Sequence, residues 1–132
     1  MDGEISTEEV AELLDGDDPP LIVDVRSPGA FVRGHIPNSE NVPFPQLPQR
    51  VDSLSGAERI VTVCPHGRAS VQAARLIKSF EGTADARVES MAGGLEAWNG
   101  PLEAGDGRDD EGRGDDDSSD DGSSDANADA PF

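Results

Sequence analysis

The stretch RIVTVCPHGRASVQAARLIKSF, residues 59–80, decides the fold expected for this chain. Its first five residues form a short, β-branched and almost wholly apolar run, which is the pattern of a strand covered on both faces. Its last eleven residues give one apolar helical face, made of Val71, Ala74, Leu76, Ile77 and Phe80. A strand that leads through a short loop into a helix is typical of α/β domains.

The same alternation of strands and helices continues on both sides of this stretch. Two more strands are predicted: one from the short apolar run LIVDV at residues 21–25, and a last one from ARVESM at residues 86–91. Further helices are predicted from a capping box of Ser6 and Glu9, at residues 28–33, at residues 47–54, and from GGLEAW at residues 93–98. The pattern predicts an α/β domain with a mainly parallel sheet and right-handed crossovers.

Cys64 occupies the turn from the central strand into the following helix, and it is the single cysteine of the 132 residues. In open α/β sheets ligands gather beyond the carboxyl ends of strands, and helix N-termini present unpaired N–H groups that bind anions. We therefore expect the sulfur to lie above the amides of residues 65–70, with Gly67 allowing a positive φ and Arg68 adding positive charge. A free cysteine has a pKa of about 8.5, and a drop of about two units would make most of it thiolate at pH 7. The position favours a reactive cysteine over a structural one.

The charge of the chain is strongly negative, with 28 acidic and 10 basic residues, a net charge of -18, and Lys78 as the single lysine. This excludes a protein that binds nucleic acid through a basic surface. Residues 105–132 carry 11 acids and 2 arginines and almost no core-forming side chain, so they are predicted to be a disordered acidic tail. Residues 1–104 are predicted to form one domain with one core. Its 17 acids and 8 bases still favour a high-salt cytoplasm, as in a halophile, because salt screens the repulsion.

Several kinds of site and location are not expected from this sequence. No apolar run is long enough to span a membrane, and MDGEIS lacks the basic and apolar regions of a signal peptide, so a cytoplasmic location is expected. A lone cysteine forms neither an internal disulfide nor a multi-cysteine metal site. We predict no metal and no cofactor.

Three stretches, in order, resemble the rhodanese-like domain family from about residue 5 to residue 103. They are LIVDVRSPGAFVRGHIPNSENVP, IVTVCPHGRAS and MAGGLEAW. The resemblance implies a three-layer α/β domain with a central five-stranded parallel sheet flanked by helices. It also implies a sulfurtransferase in which Cys64 takes a sulfane sulfur from a small anionic donor such as thiosulfate, becomes a persulfide, and passes the sulfur to cyanide, a thiol or a sulfur-accepting protein.

By the same resemblance, the loop from Cys64 to Ala69 binds the substrate. Its amides, together with that of the next residue, would cradle the donor and then the persulfide; these positions are Pro65, His66, Gly67, Arg68, Ala69 and Ser70. The commonest family loop reads C-x-x-G-x-R, whereas here arginine is the fourth residue after cysteine and Ala69 the fifth. The arginine that would face an anionic donor is therefore displaced. A second departure, Ala30 in place of the frequent glutamate, concerns local hydrogen bonding.

The remaining polar and aromatic positions each have a structural interpretation. Asp24 and Arg26 follow the neighbouring strand and could shape the site, but a salt bridge that fixes the loop is the simpler role. His35 is interpreted as a loop-ordering residue, and His66 either as a solvated loop residue or as a group that tunes the thiolate. Phe31 and Trp98 are assigned to the core.

Two other functions stay open beside sulfur transfer. The displaced arginine and the acidic tail fit a catalytically quiet binding or regulatory module that keeps the fold. A phosphatase or arsenate reductase also uses a cysteine loop, but such loops usually read C-x-x-x-x-x-R, and here the sixth residue after cysteine is Ser70.

Overall fold

The domain is built on one sheet of five parallel strands. The computed structural model describes residues 1–105, in which the strands are β1 (Glu4–Ile5), β2 (Leu21–Asp24), β3 (Glu40–Asn41), β4 (Arg59–Val63) and β5 (Arg87–Met91). Their spatial order is β1-β5-β4-β2-β3, so β4 is central and pairs with β2 and β5. The α/β fold with a central five-stranded parallel sheet is confirmed.

Helices connect the strands. The α-helices are α1 (Thr7–Leu14), α2 (Pro28–Arg33), α3 (Leu47–Arg50) and α4 (Ala69–Lys78), and 3-10 turns cover Phe44–Gln46, Val51–Leu54, Glu81–Thr83 and Leu95–Ala97. The predicted cap of α1 is present, because the Ser6 hydroxyl accepts a hydrogen bond from the Glu9 N–H at 3.1 Å. α2 has the same kind of cap, in which Ser27 accepts from the Ala30 N–H at 3.3 Å.

Apolar side chains cover both faces of the sheet, because successive strand residues point to opposite sides. On one face, Val23, Ile60 and Val88 pack in a core with residues of α3 and α4. On the other face, Ile22, Val61 and Met91 pack with Val10 of α1 and with Trp98. Both faces of the central strands are thus buried, as the continuous apolar runs predicted, and the domain has three layers.

Two predicted helices differ from the structure. Residues 47–54 form a four-residue α-helix followed by a 3-10 turn, and the Ser53 hydroxyl bonds the Arg50 carbonyl at 2.7 Å. Such local side-chain bonds compete with a regular helix. The helix predicted to start in residues 93–98 is a single 3-10 turn, after which Trp98 adopts an extended conformation. Both predictions were therefore wrong about the length and type of the helix.

The described part of the chain ends where the acidic tail is predicted to begin. Residues 106–132, which hold almost all of that tail, lie outside the described residues. Within residues 1–105, no helix is long and apolar enough to cross a membrane.

Candidate active site

The loop that carries Cys64 lies at the carboxyl end of the central strand. β4 ends at Val63 and α4 begins at Ala69, so the loop between them is closed by the first turn of that helix. Gly67 has a φ of +86°, as the predicted turn requires. This geometry folds the loop around the sulfur of Cys64, and the Cys64 side chain joins the core beneath α4 with only 2% of its surface exposed.

Three hydrogen-bonding groups surround the sulfur. The Gly67 N–H donates to Cys64 Sγ at 3.0 Å, and the Ser70 N–H donates at 3.3 Å. The Ser70 hydroxyl also lies 3.3 Å from Sγ. All three lie in the loop or in the first turn of α4, so the start of the helix is directed at the sulfur.

The pKa of Cys64 is set by a competition between burial and these hydrogen bonds. Burial is the largest influence and raises the pKa, because it disfavours the anion. The Ser70 hydroxyl and N–H lower the pKa, and the N–H groups of His66 and Gly67 lower it further. The hydrogen bonds prevail, and the pKa of Cys64 lies below its ordinary value. The site thus favours a thiolate nucleophile.

Fewer groups of residues 65–70 can donate to the sulfur than the sequence analysis expected. Pro65 has no N–H, so it cannot donate to a bound anion. The charge of Arg68 is not among the causes that lower the pKa of Cys64, and Arg68 and Ala69 are exposed at the start of α4. Of the six positions from 65 to 70, His66, Gly67 and Ser70 have N–H groups that lower the pKa of Cys64, and those of Gly67 and Ser70 lie 3.0 and 3.3 Å from the sulfur.

The loop that follows β5, which contains Gly93 and Gly94, is hydrogen-bonded to the cysteine loop. The Leu95 N–H donates to the Cys64 carbonyl at 2.8 Å, and the Glu96 N–H donates to the Pro65 carbonyl at 3.0 Å. Gly94 has a φ of +66°, and a Cβ there would collide with the carbonyl oxygens of Cys64 and Pro65. The two backbones approach this closely only because position 94 has no side chain.

His66 forms an exposed ion pair at the rim of the site. Its Nδ1 lies 3.2 Å from Glu96 Oε1, and the two side chains are 61% and 73% exposed. The solvated interpretation of His66 fits this exposure, whereas its contribution to the thiolate comes through its backbone N–H.

Asp24 and Arg26 bond each other rather than the sulfur. Arg26 Nε lies 3.0 and 3.1 Å from the two Asp24 oxygens, Nη2 lies 2.8 Å from Oδ2, and Nη2 also donates to the Gly34 carbonyl at 2.7 Å. Asp24 is fully buried. This contact pattern fits the loop-fixing interpretation.

The two aromatic residues assigned to the core, Phe31 and Trp98, are buried. His35 stacks on Phe31 with ring centroids 3.8 Å apart, and its Nδ1 lies 2.8 Å from the Phe31 carbonyl. This hydrogen bond fits a loop-ordering role for His35.

Two hydroxyl residues beneath the loop were missed by the sequence analysis. Thr62 Oγ1 donates to the Ser70 carbonyl at 2.7 Å, and Ser90 Oγ lies 2.7 Å from Ser70 Oγ. Thr62 and Ser90 are register partners on β4 and β5. Strand periodicity could have placed each of them on a face, but no sequence signal indicates that β4 and β5 are neighbours.

Metal-binding side chains do not converge at the site. Within residues 1–105, no group of three or more His, Cys, Asp or Glu side chains is placed to hold a metal ion.

Known proteins are similar to this chain in sequence and in fold. Residues 6–101 match the rhodanese-like domain family. Thiosulfate sulfurtransferase GlpE from Pseudoalteromonas translucida is 36% identical over 94 residues, which cover 71% of this chain and 86% of that protein. The structure of a rhodanese-like domain protein from Staphylococcus aureus superposes with a TM-score of 0.68 at 28% identity, covering 80% of this chain and 99% of that one. The match to YrkF of Bacillus subtilis, 30% identical over 102 residues, spans about half (52%) of that protein's length.

Proposed function

This chain belongs to the rhodanese-like domain family, and we propose that it is a sulfurtransferase that carries sulfur as a persulfide on Cys64. The observation that carries the proposal is the sulfur itself, held by two N–H groups and a hydroxyl at the carboxyl end of the central strand. These donors stabilise a thiolate, and the thiolate is the nucleophilic form of cysteine. Relatives named as sulfurtransferases support the same chemistry.

The reaction has two displacement steps. In the first, Cys64 Sγ⁻ attacks the sulfane sulfur of the donor; the Sγ–S bond forms, the donor's S–S bond breaks, and the leaving group departs with the electron pair. With thiosulfate the leaving group is sulfite. In the second step an acceptor thiolate or cyanide attacks the outer sulfur, the Sγ–S bond breaks, and the Cys64 thiolate is regenerated. The acceptor thiol loses its proton to solvent, and no external oxidant or reductant is needed.

The acceptor is an outside molecule in this proposal. The 132 residues contain no second cysteine that could attack the persulfide. A small thiol, cyanide or a sulfur-accepting protein therefore discharges it.

The class of donor is a small sulfane-sulfur anion. The backbone donors of Gly67 and Ser70 suit any such anion, because an N–H group recognises charge and not a particular leaving group. Arg68 is exposed, and its charge is not among the causes that lower the pKa of Cys64. We therefore propose persulfide formation at Cys64 without preference for thiosulfate over other donors.

Mass spectrometry of the intact chain tests this proposal. After incubation with thiosulfate, polysulfide or an organic persulfide, the chain should gain the mass of one sulfur, located on the Cys64 peptide and lost on addition of cyanide or a thiol. Cys64→Ser keeps the size of the side chain and should gain none. If no donor produces an adduct on the folded protein, the protein is instead a binding module that keeps the fold without the chemistry.

A further inference from the structure

A chain of three side chains runs from the sulfur into the sheet. Ser70 Oγ lies 3.3 Å from Cys64 Sγ and 2.7 Å from Ser90 Oγ. Ser70 and Ser90 are fully buried, and Cys64 is 2% exposed. A hydroxyl that bridges two partners in a buried setting has few alternative orientations, because burial keeps bulk solvent from competing for its hydrogen bonds.

Ser90 is in place because β5 lies beside β4. Ser90 is the register partner of Thr62, and both side chains reach Ser70 in the first turn of α4. Thr62 bonds the Ser70 carbonyl, whereas Ser90 bonds the Ser70 hydroxyl. Of these two strand residues, Ser90 is therefore the one that acts on the group facing the sulfur.

The ionisation state of Cys64 fixes the direction of these hydrogen bonds. A thiolate has no proton, so the contact between Ser70 Oγ and Sγ requires the Ser70 hydroxyl to donate. A hydroxyl has a single proton, so Ser70 then has none to give to Ser90. The 2.7 Å contact between the two serines is therefore made by the Ser90 hydroxyl donating to Ser70 Oγ.

We propose that Ser90 is a positioning residue for the Cys64 nucleophile, one that donates to Ser70 Oγ and thereby keeps the Ser70 hydroxyl directed at Sγ. The inference rests on the proposed function, in which Cys64 reacts as a thiolate. Ser90 acts through Ser70, which makes the direct contact with the sulfur. Successive hydrogen bonds polarise one another, so loss of the Ser90 hydroxyl weakens the bond from Ser70 to the anion.

Two charged side chains of the adjoining segments form ion pairs with residues other than Cys64, Ser70 and Ser90. Arg26 pairs with Asp24 after β2, and Glu96 pairs with His66 at the rim. Arg68 is exposed.

On β5 the neighbour of Ser90, Glu89, is held by Arg59 at 2.8 Å and Arg87 at 3.3 Å. A substitution of Ser90 therefore changes the surroundings of Cys64 through Ser70 and leaves these ion pairs in place.

The rate of iodoacetamide alkylation as a function of pH tests the proposal on the full chain. The single cysteine makes the reaction report on Cys64 alone. Ser90→Ala should raise the apparent pKa of Cys64 by about half a unit, which lowers the alkylation rate about threefold at pH values below it. Ser70→Ala should raise the pKa by more, because it removes the direct bond. In the Ser70→Ala background, Ser90→Ala should cause no further rise.

Three variants control for effects on folding. Ser39→Ala removes another buried serine hydroxyl, which donates to the Ile36 carbonyl at 2.6 Å, and should leave the pKa of Cys64 unchanged. Ser90→Thr keeps a hydroxyl and should keep the pKa of the original protein. Ser90→Gly also removes the hydroxyl and gives a second measurement if Ser90→Ala does not fold, with the pKa of Cys64 again expected to rise.

Two results would overturn the proposal. One is an unchanged pKa in folded Ser90→Ala, and the other is an equal rise in both the original and the Ser70→Ala backgrounds. The assay measures the thiolate and not sulfur transfer. A chain that shows the coupled rise but never acquires sulfur would contradict the proposed function while supporting the role of Ser90.

Discussion

Arg68 and Ala69 are adjacent exposed residues at the start of α4, and their order decides which of them follows Cys64 by five positions. Position 69 is the first residue of α4 and is exposed. A guanidinium there would add a charged hydrogen-bond donor beside the anion cradle. We therefore expect the residue at position 69 to influence which donor reacts, because the backbone amides recognise only the charge of an anion.

Exchanging these two residues should favour thiosulfate. The double variant Arg68→Ala, Ala69→Arg keeps the composition of the chain and should raise the second-order rate of persulfide formation from thiosulfate by about 3- to 10-fold at low salt, as an ion pair of about 1 kcal/mol implies. Stopped-flow measurement of sulfite release provides the rate. Ala69→Gln is the control, since it adds a long side chain without charge and should give no gain. An unchanged rate in the exchanged variant would show that position 69 does not face the donor.

At the scale of elements, the site depends on the contact between two loops that follow neighbouring strands. The loop after β5 donates two backbone hydrogen bonds to the carbonyls of Cys64 and Pro65. The cysteine loop also lies close to the loop after β5 at Gly67, where a Cβ would lie 2.9 Å from the Gly93 nitrogen. The cysteine loop is therefore held in its reactive shape by the element next to it.

Gly94→Ala should separate the two loops. A side chain at position 94 combines a strained positive φ with a backbone collision, and we expect the free energy of unfolding to fall by about 2–5 kcal/mol, together with a loss of Cys64 reactivity. Gly56→Ala is the matched control, because Gly56 has a φ of +95° with open space around it and suffers the strain alone. Denaturant unfolding and alkylation rates measure both effects. Equal losses in the two variants would mean that the collision is relieved without moving the loop.

Sequence periodicity predicts the longer elements of the fold and not the shortest strands. The short apolar runs at β2 and β4 and the helix α4 were predicted from sequence because each repeats its signal over several residues. β1 and β3 contain two residues each and carry no period of their own. They join the sheet because their neighbours offer free strand edges, which is a property of the folded domain.

At the scale of the whole molecule, negative charge is concentrated in two segments. Residues 1–18 hold eight acids and no base, and residues 105–132 hold 11 acids and 2 arginines. Residues 19–104, which contain Cys64 and its loop, hold nine acids and eight bases. The segment that contains Cys64 is therefore almost neutral, while the excess negative charge lies outside it.

Salt should stabilise this protein. At molar ionic strength charges are screened within about 3 Å, so repulsion among the acids weakens and the melting temperature of the full chain should rise between low salt and molar KCl. The variant Glu12→Gln, Asp17→Asn, Asp18→Asn removes three exposed acids near the end of α1 and should melt higher at low salt, with a smaller rise in KCl. Differential scanning fluorimetry measures both. A flat or falling trend for the original chain would contradict the halophilic interpretation.

The sequence alone determined the α/β class, the position of Cys64 at a turn between strand and helix, and the uneven charge. These follow from local patterns: apolar period, glycine and capping residues, and composition. Only the tertiary structure decided which groups face the sulfur. Ser90 lies 26 residues from Cys64 in the chain and the glycine loop about 30; because β5 pairs with β4, Ser90 contacts Ser70 and the glycine loop bonds the Cys64 carbonyl. Arg68, only four residues away, is exposed, and its charge does not contribute to the lowered pKa of Cys64. Strand pairing, a non-local interaction, brings distant residues to the site.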